Sequence, residues 1–509
     1  MFRKLPSRSI LHVPTGNRCN NRCTFCMERN EGYPIVRSLD EYRSTLAEMR
    51  AELDGVVFTG GEPTLNRLLP ELVEAARRLD YRTIGLVTNG RALQDGTLCE
   101  RLVAAGLGEV TVSMHGPEAA VHDGITRRQG SFDQAVRGVR NLVRLGRTRP
   151  LRLRMNCSLV RANVEHIRAM RDFALGLGVE HINFNAIEPR GTADELFDEV
   201  VPRYREVMGW ADRSELDFTE RAQSLSRVPP CAGGGDWVQE TWHLAHDAER
   251  VDVYDGTEGK TKGPPCGECV LAAGCDGIWA RYVEGYGWDE LRPIRPTAPR
   301  EGRSWRLVLG APCNNRCVHC VDGPAASTRA PLPHVMGQLR TGLIEGFRHL
   351  EIGGGEPLLD ERLPRLARQA RNLGYERVVV ETNGRALNIA AKLDLLAGLG
   401  ADEVAIRLNA GDEQTHDRMA NAPGAFRQTV RAMLQLRKRG VPFFARLREH
   451  GSNVQTVERA RQLALEAGAR RFEVQTGGDA PDGAGPPQAA DGGTEDPDIR
   501  PLDPVARRS

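Results

Sequence analysis

Residues 19–26 read CNNRCTFC and residues 313–320 read CNNRCVHC, so three thiols recur at one spacing in two places. Thiolates are soft donors that suit iron–sulfur clusters or zinc. A four-iron cubane has four iron corners. A short loop carrying Cys19, Cys23 and Cys26, or Cys313, Cys317 and Cys320, closes three of them and leaves one iron open to a small molecule. A structural zinc site wants a fourth ligand nearby. His319 lies inside the second loop, but the first has Phe25 there, so histidine is not a shared ligand. A third group, Cys231, Cys266, Cys269 and Cys275, includes the run CGECVLAAGC. Of the 12 cysteines only Cys99 and Cys157 stand outside these groups; both lie in apolar stretches and read as buried, inert thiols.

The elements that must position these loops are also written twice. Shifted by 294 positions, Gly60-Gly61-Glu62-Pro63 falls on Gly354-Gly355-Glu356-Pro357, and Thr88-Asn89-Gly90-Arg91 on Thr382-Asn383-Gly384-Arg385. His122 falls on His416, Gly130 on Gly424 and Phe132 on Phe426. After a four-residue deletion near 445–452 the register resumes, with Asn163-Val164 on Asn453-Val454. One domain was duplicated. Each copy alternates short apolar runs with amphipathic stretches. In the first, SILHV, GVVFTG, TIGLVTNG, EVTVSMHG, LRLRMNCSLV and HINFNAI read as strands. SLDEYRSTLAEMRAEL and LLPELVEAARRL read as helices, the former opened by a capping box of Ser38 and Glu41. A further helix near 132–145 carries Phe132, Val136, Val139 and Val143 on one face. This alternation predicts an α/β protein of two partial (β/α)6 TIM-like barrels, with active residues at the C-terminal ends of the strands. The expected domains are 1–225, a Cys-rich segment and linker at 226–300, a second core at 301–476, and a low-complexity acidic tail at 477–509 that reads as disordered.

The cysteine loop after the first strand, the ring before its last Cys (Phe25, His319) and the GGEP loop after the second strand together resemble the radical S-adenosylmethionine (radical SAM) enzymes, over about 6–190 and 303–476. The resemblance implies that the open iron of a 4Fe-4S cluster chelates the methionine end of SAM. One electron then cleaves the sulfonium to a 5′-deoxyadenosyl radical that abstracts hydrogen from substrate. It implies SAM contacts at Gly60, Gly61, Glu62 and Pro63, and at Gly354, Gly355, Glu356 and Pro357, with Asn89 and Asn383 in the loops after the third strands. The plainer reading of GGEP is a tight strand-to-helix turn. Ser113 ends the fourth strand, where the family often binds ribose or carboxylate; the second copy has Arg407, which could pair with the SAM carboxylate. Asn156 and Asn185 are candidate polar contacts or plain turn residues, and His115 and His122 read as packed histidines. The middle cysteines resemble an auxiliary-cluster extension of SPASM or twitch type. The full SPASM pattern would put another Cys where Trp279 stands, so one auxiliary cluster is expected, with an all-thiolate zinc knuckle as the alternative.

Net charge is +1, with acids balancing an Arg-rich base count, which disfavours nucleic acid and anionic membranes as partners. No run approaches the length of a membrane span and the N-terminus lacks a signal peptide's apolar core, so a cytoplasmic protein is expected. No winged leader-binding module, cobalamin domain or RNA-binding extension is legible. The leading expectation is radical modification of a peptide or small protein, fed by an electron donor such as a flavodoxin or ferredoxin. Small-molecule natural-product or cofactor chemistry stands beside it. A non-catalytic iron–sulfur or zinc redox sensor is disfavoured, because a sensor needs no SAM cradle.

Overall fold

The apolar runs of the first copy pair side by side in chain order, all parallel. A computed structural model describes residues 10–27, 38–50, 53–216, 218, 222–233, 259–310, 312–318, 320, 329–330 and 332–476. His319 and the tail at 477–509 lie outside the described residues. The first sheet has strands β1 (Ile10–Pro14), β2 (Gly55–Thr59), β3 (Thr83–Thr88), β4 (Glu109–Ser113), β5 (Arg152–Leu159), β6 (His181–Ala186) and β7 (Gln223–Ser226). Six strands were expected. The seventh, QSLS, is too short and too polar to carry a strand pattern, and it is completed by pairing with β6, for example Asn185 with Ser226.

Of the segment 226–297, the described residues 226–233 and 259–297 belong to the same compact unit as the first core. They carry the antiparallel pair β8 (Lys260–Thr261) and β9 (Ile278–Trp279). Tyr282 anchors this segment: it is buried, its hydroxyl accepts from the Tyr204 amide at 2.7 Å and donates to Glu290 at 2.5 Å, and its ring stacks on Tyr204. The second unit holds a six-stranded parallel sheet in chain order: β10 (Ser304–Val308), β11 (His349–Gly353), β12 (Arg377–Thr382), β13 (Glu403–Arg407), β14 (Phe443–Arg448) and β15 (Phe472–Gln475).

Alternation decides which side of each strand is covered. In β1, Leu11 and Val13 point into the helix layer and are buried, while His12 between them is exposed on the other face. Phe58, Leu86, Val110, Val112 and Phe184 continue that core against Leu46, Leu72 and Val139 of the helices. Each fully buried Leu or Phe contributes about 1.5–3 kcal/mol. The capping box at the first helix is formed: Ser38 Oγ accepts from the Glu41 amide at 3.3 Å, and Glu41 accepts from the Ser38 amide at 2.6 Å.

Candidate active site

Both cysteine loops leave the C-terminal end of a first strand and are pinned from two sides. Thr15 N–H donates to Thr59 O at 2.8 Å, tying the loop's start to β2. Arg22 and Thr24 amides donate to Thr126 and Ile125 carbonyls at the end of the helix Ala119–Thr126. In the second core Arg316 and Val318 donate in the same way to Ala420 and Met419.

Gly60 and Gly61 adopt φ of +85° and +42°, which L-residues with a Cβ avoid. A Cβ on Gly61 would stand 2.5 Å from the Arg18 carbonyl oxygen, and one on Gly60 3.0 Å from Gly16 O and from Pro14. The glycines therefore let the GGEP turn close onto the backbone of the cysteine loop. Gly61→Ala is expected to destabilise the first unit by ~1–3 kcal/mol. It should also lower the iron retained after gel filtration, checked by metal analysis beside the wild type.

Glu62 and Glu356, expected as SAM contacts, are buried at 3% and 0% exposure. Glu62 accepts from Thr88 Oγ1 at 2.6 Å and from the Asn89 amide at 2.7 Å; Glu356 accepts from Thr382 Oγ1 at 2.6 Å and the Asn383 amide at 2.9 Å. Burial raises the pKa of both, opposed by these donors. Each carboxylate thus staples the GGEP turn to the TNGR turn. Pro63 and Pro357 open the short 3₁₀ turn that follows each one.

The TNGR turns reach back to the thiols. Asn89 Nδ2 lies 2.6 Å from Asn20 Oδ1 and 3.8 Å from Cys19 Sγ; Asn383 stands 2.7 Å from Asn314 Oδ1 and 3.7 Å from Cys313 Sγ. Arg91 donates to Asn21 Oδ1 at 2.8 Å and Gln134 Oε1 at 2.7 Å, and Arg385 repeats this to Asn315 and Gln428, both at 2.7 Å. The sequence reading gave no role to Asn20, Asn21, Arg91 or Gln134. Their signal was the exact recurrence of NN, R and Q at the same offset.

The thiols gather. Cys23 is pushed up to about 12 by burial and by its neighbours Cys19 and Cys26. Burial also raises Cys19, Cys313 and Cys317. Mutual repulsion of closely held thiolates is relieved when metal replaces their protons. Cys231, Cys266, Cys269 and Cys275 line one cavity with Lys262, Ile278 and Trp288, and burial and the three other thiols push Cys231 up to about 12. Among the described residues no three His, Cys, Asp or Glu side chains converge tightly enough for a single metal ion. Soft thiolates in threes are donor sets that suit an iron–sulfur cluster, and the quartet suits either such a cluster or a tetrahedral zinc. Cys99 and Cys157 are buried at 0% and 1% exposure and lie within the core.

On the concave face of the first sheet, Ser113 ends β4 beside Asn156 of β5. Asn183 lies 3.3 Å from Asn156 Oδ1 and 2.8 Å from Asn185 Oδ1, Asn185 also bonds Asn156, and Ser224 donates to Asn183 at 2.7 Å. In the second core Arg407 Nε donates to Glu381 at 3.1 Å.

His115 and His122 are packed, at 4% and 1% exposure. His122 Nδ1 accepts from the His115 amide, and His115 lies edge-on to Phe25. Burial depresses them to about 3 and about 4. Their unfolded values lie near ~6.5. Above that pH both states are neutral and no penalty applies; below it only the unfolded chain gains protons. Stability is therefore expected to fall from pH 6.5 towards 4, measured as a declining urea midpoint that His122→Phe makes shallower.

A family profile described as the Radical SAM superfamily matches residues 13–174 and 307–464. A protein of Saccharolobus islandicus named "Probable GTP 3',8-cyclase" is 31% identical over 191 residues, 37% of this chain and 60% of that protein. One of the same name from Sulfurisphaera tokodaii is 30% identical over 196 residues, 38% of this chain and 60% of that protein. The chain spans about 60% of the length of these curated relatives. Among solved structures, Streptococcus suis SuiB bound to S-adenosylmethionine aligns with a TM-score of 0.43 and 13% identity, over 57% of this chain and 76% of that one. Native anSMEcpe with bound AdoMet aligns with a TM-score of 0.35 and 19% identity, over 43% of this chain and 64% of that one. No helix among the described residues is long and apolar enough to cross a membrane. With the same three-cysteine loop near the start of both matched stretches, which together span more than half of its length, the chain belongs to the radical SAM superfamily.

Proposed function

We propose that this radical SAM enzyme modifies a peptide or small protein on the concave face of its first sheet. The observation that carries this reading is the set of half-buried uncharged groups Ser113, Asn156 and Asn183 on β4 to β6, the two asparagines held in place by hydrogen bonds with the buried Asn185, Ser224 and Ser226. Such groups both donate and accept, which suits the amide-rich surface of a polypeptide. Bound at the open iron of a cluster, SAM supplies a 5′-deoxyadenosyl radical that takes hydrogen from an unactivated carbon.

The chain's own residues do the positioning. Cys19, Cys23 and Cys26 would hold the cluster, and Asn89 orients its amide towards Cys19. Gly60 and Gly61 keep the turn close, and their backbone would face the methionine end of SAM. Glu62 locks that turn to the Asn89 amide, so its role is to fix the cradle. Cys231, Cys266, Cys269 and Cys275 would hold one auxiliary 4Fe-4S cluster in the apolar-walled cavity that they share. A flavodoxin or ferredoxin would supply the electron.

A second reading, a nucleotide-derived small molecule as substrate, is favoured by the 31% identity to proteins named as GTP 3',8-cyclases. Deuterium transfer separates the two. With reductant and SAM under anaerobic conditions, a perdeuterated peptide mixture is expected to put deuterium into released 5′-deoxyadenosine, and deuterated GTP is not. Transfer from GTP alone would reverse the choice.

A further inference from the structure

The strand registers let the two sheets be overlaid position by position, and their concave faces differ in kind. In the first core His12, Val57, Val87, Ser113, Asn156 and Asn183 occupy the row and are exposed or half-buried. In the second core the same positions hold Arg306, Glu351, Glu381, Arg407, Arg446 and Glu473.

These charges satisfy one another. Glu381, 5% exposed, accepts from Arg306 at 3.0 Å and from Arg407 Nε at 3.1 Å. Arg446 spans Glu351 at 2.6 Å and Glu473 at 3.0 Å. Val379, Ala405 and Phe444 form a small buried cluster among them, and the guanidiniums of Arg471 and Arg446 lie 3.6 and 5.2 Å from the Phe444 ring centre. Burial pushes Glu381 up, but Arg407, Arg306 and Arg446 outweigh it and hold the carboxyl well below the usual carboxylate range. A cavity of about 280 Å³ remains on this face, lined by Arg306, Glu351, Arg446 and Glu473, but a ligand drawing on these charges would have to break ion pairs already formed and leave the buried Glu381 uncompensated.

We propose that the second core holds an iron–sulfur cluster but takes neither SAM nor substrate, because the side chains that would bind them are already committed to an interlocked set of ion pairs centred on Glu381, at positions where the first core presents Ser113, Asn156 and Asn183. This rests on the radical SAM reading of the first core. It gives the second copy the part of cluster carrier, and it explains why the cluster loop, the GGEP turn and the TNGR turn survive duplication while the concave face does not. The first three build and brace the metal loop in both cores. The concave face serves only what is bound there.

The test uses the full chain, reconstituted without oxygen. Equilibrium dialysis with radiolabelled SAM is expected to give one SAM per chain, and two would overturn the proposal. Two triple variants then locate it, with iron analysis showing that each keeps its remaining clusters. In dithionite-reduced Cys313→Ala/Cys317→Ala/Cys320→Ala protein, SAM is expected to shift the electron paramagnetic resonance signal. In Cys19→Ala/Cys23→Ala/Cys26→Ala protein it is expected to leave the signal unmoved. A shift in the latter overturns this proposal and leaves the function of the first core standing. No shift in either variant overturns both.

Discussion

Cys19→Ala is expected to abolish reductive release of 5′-deoxyadenosine, by about 10³-fold or more. That corresponds to ~4 kcal/mol or more of lost barrier reduction. The reason lies in the geometry around that sulfur. Cys19 is the thiol on which the loop converges: it accepts from the Asn21 amide at 3.4 Å and is approached by Asn89. Without it a cluster held by Cys19, Cys23 and Cys26 would lose one of three protein ligands, together with the approach of Asn89 to that sulfur. Cys313→Ala removes the matching sulfur of the second loop. Its effect on the same assay is expected to be less than about tenfold, since the second core takes no SAM. Both substitutions are read by chromatography of 5′-deoxyadenosine under excess dithionite, with iron content measured in parallel. Equal losses from the two would contradict the division of labour.

Glu381→Ala is expected to destabilise the second unit by ~3–5 kcal/mol, the usual cost of removing one partner from a buried ionic network. Arg306, Arg407 and Arg446 would be left facing one another without their shared carboxylate. The pH dependence has a defined sign. The folded Glu381 binds its proton far more weakly than the unfolded chain does, so its contribution is fully present above the unfolded value near ~4.3 and is lost as pH falls below it. Hydrogen exchange of the β12 amides at neutral pH reads the loss in the variant. Unchanged protection there would contradict the ionic lattice.

Much of this architecture was legible because local and repeated signals agreed. The capping box at Ser38, the six strands of each copy and the strand-end positions of the cysteine, GGEP and TNGR loops followed from alternation and offset. The parts that were not legible depend on tertiary context. QSLS has no apolar periodicity and becomes β7 only through its neighbour β6. Glu62 also braces its turn, because its partners Thr88 and Asn89 lie over twenty residues away along the chain and meet it only in the fold. The offset that sets Arg407 where the first copy has Ser113 does not reveal that Glu381, from the adjacent strand, accepts from it. Spacing along the chain does not reveal which face-to-face pairs a parallel sheet will create.

The central claim is that Cys19, Cys23 and Cys26 hold a cluster whose open iron takes the methionine end of SAM. Electron–nuclear double resonance on the reduced Cys313→Ala/Cys317→Ala/Cys320→Ala protein, with SAM labelled with ¹⁵N at its amino group, tests it directly. The account predicts a resolved ¹⁵N coupling to a 4Fe-4S signal. A protein with its full iron complement and no such coupling would contradict it.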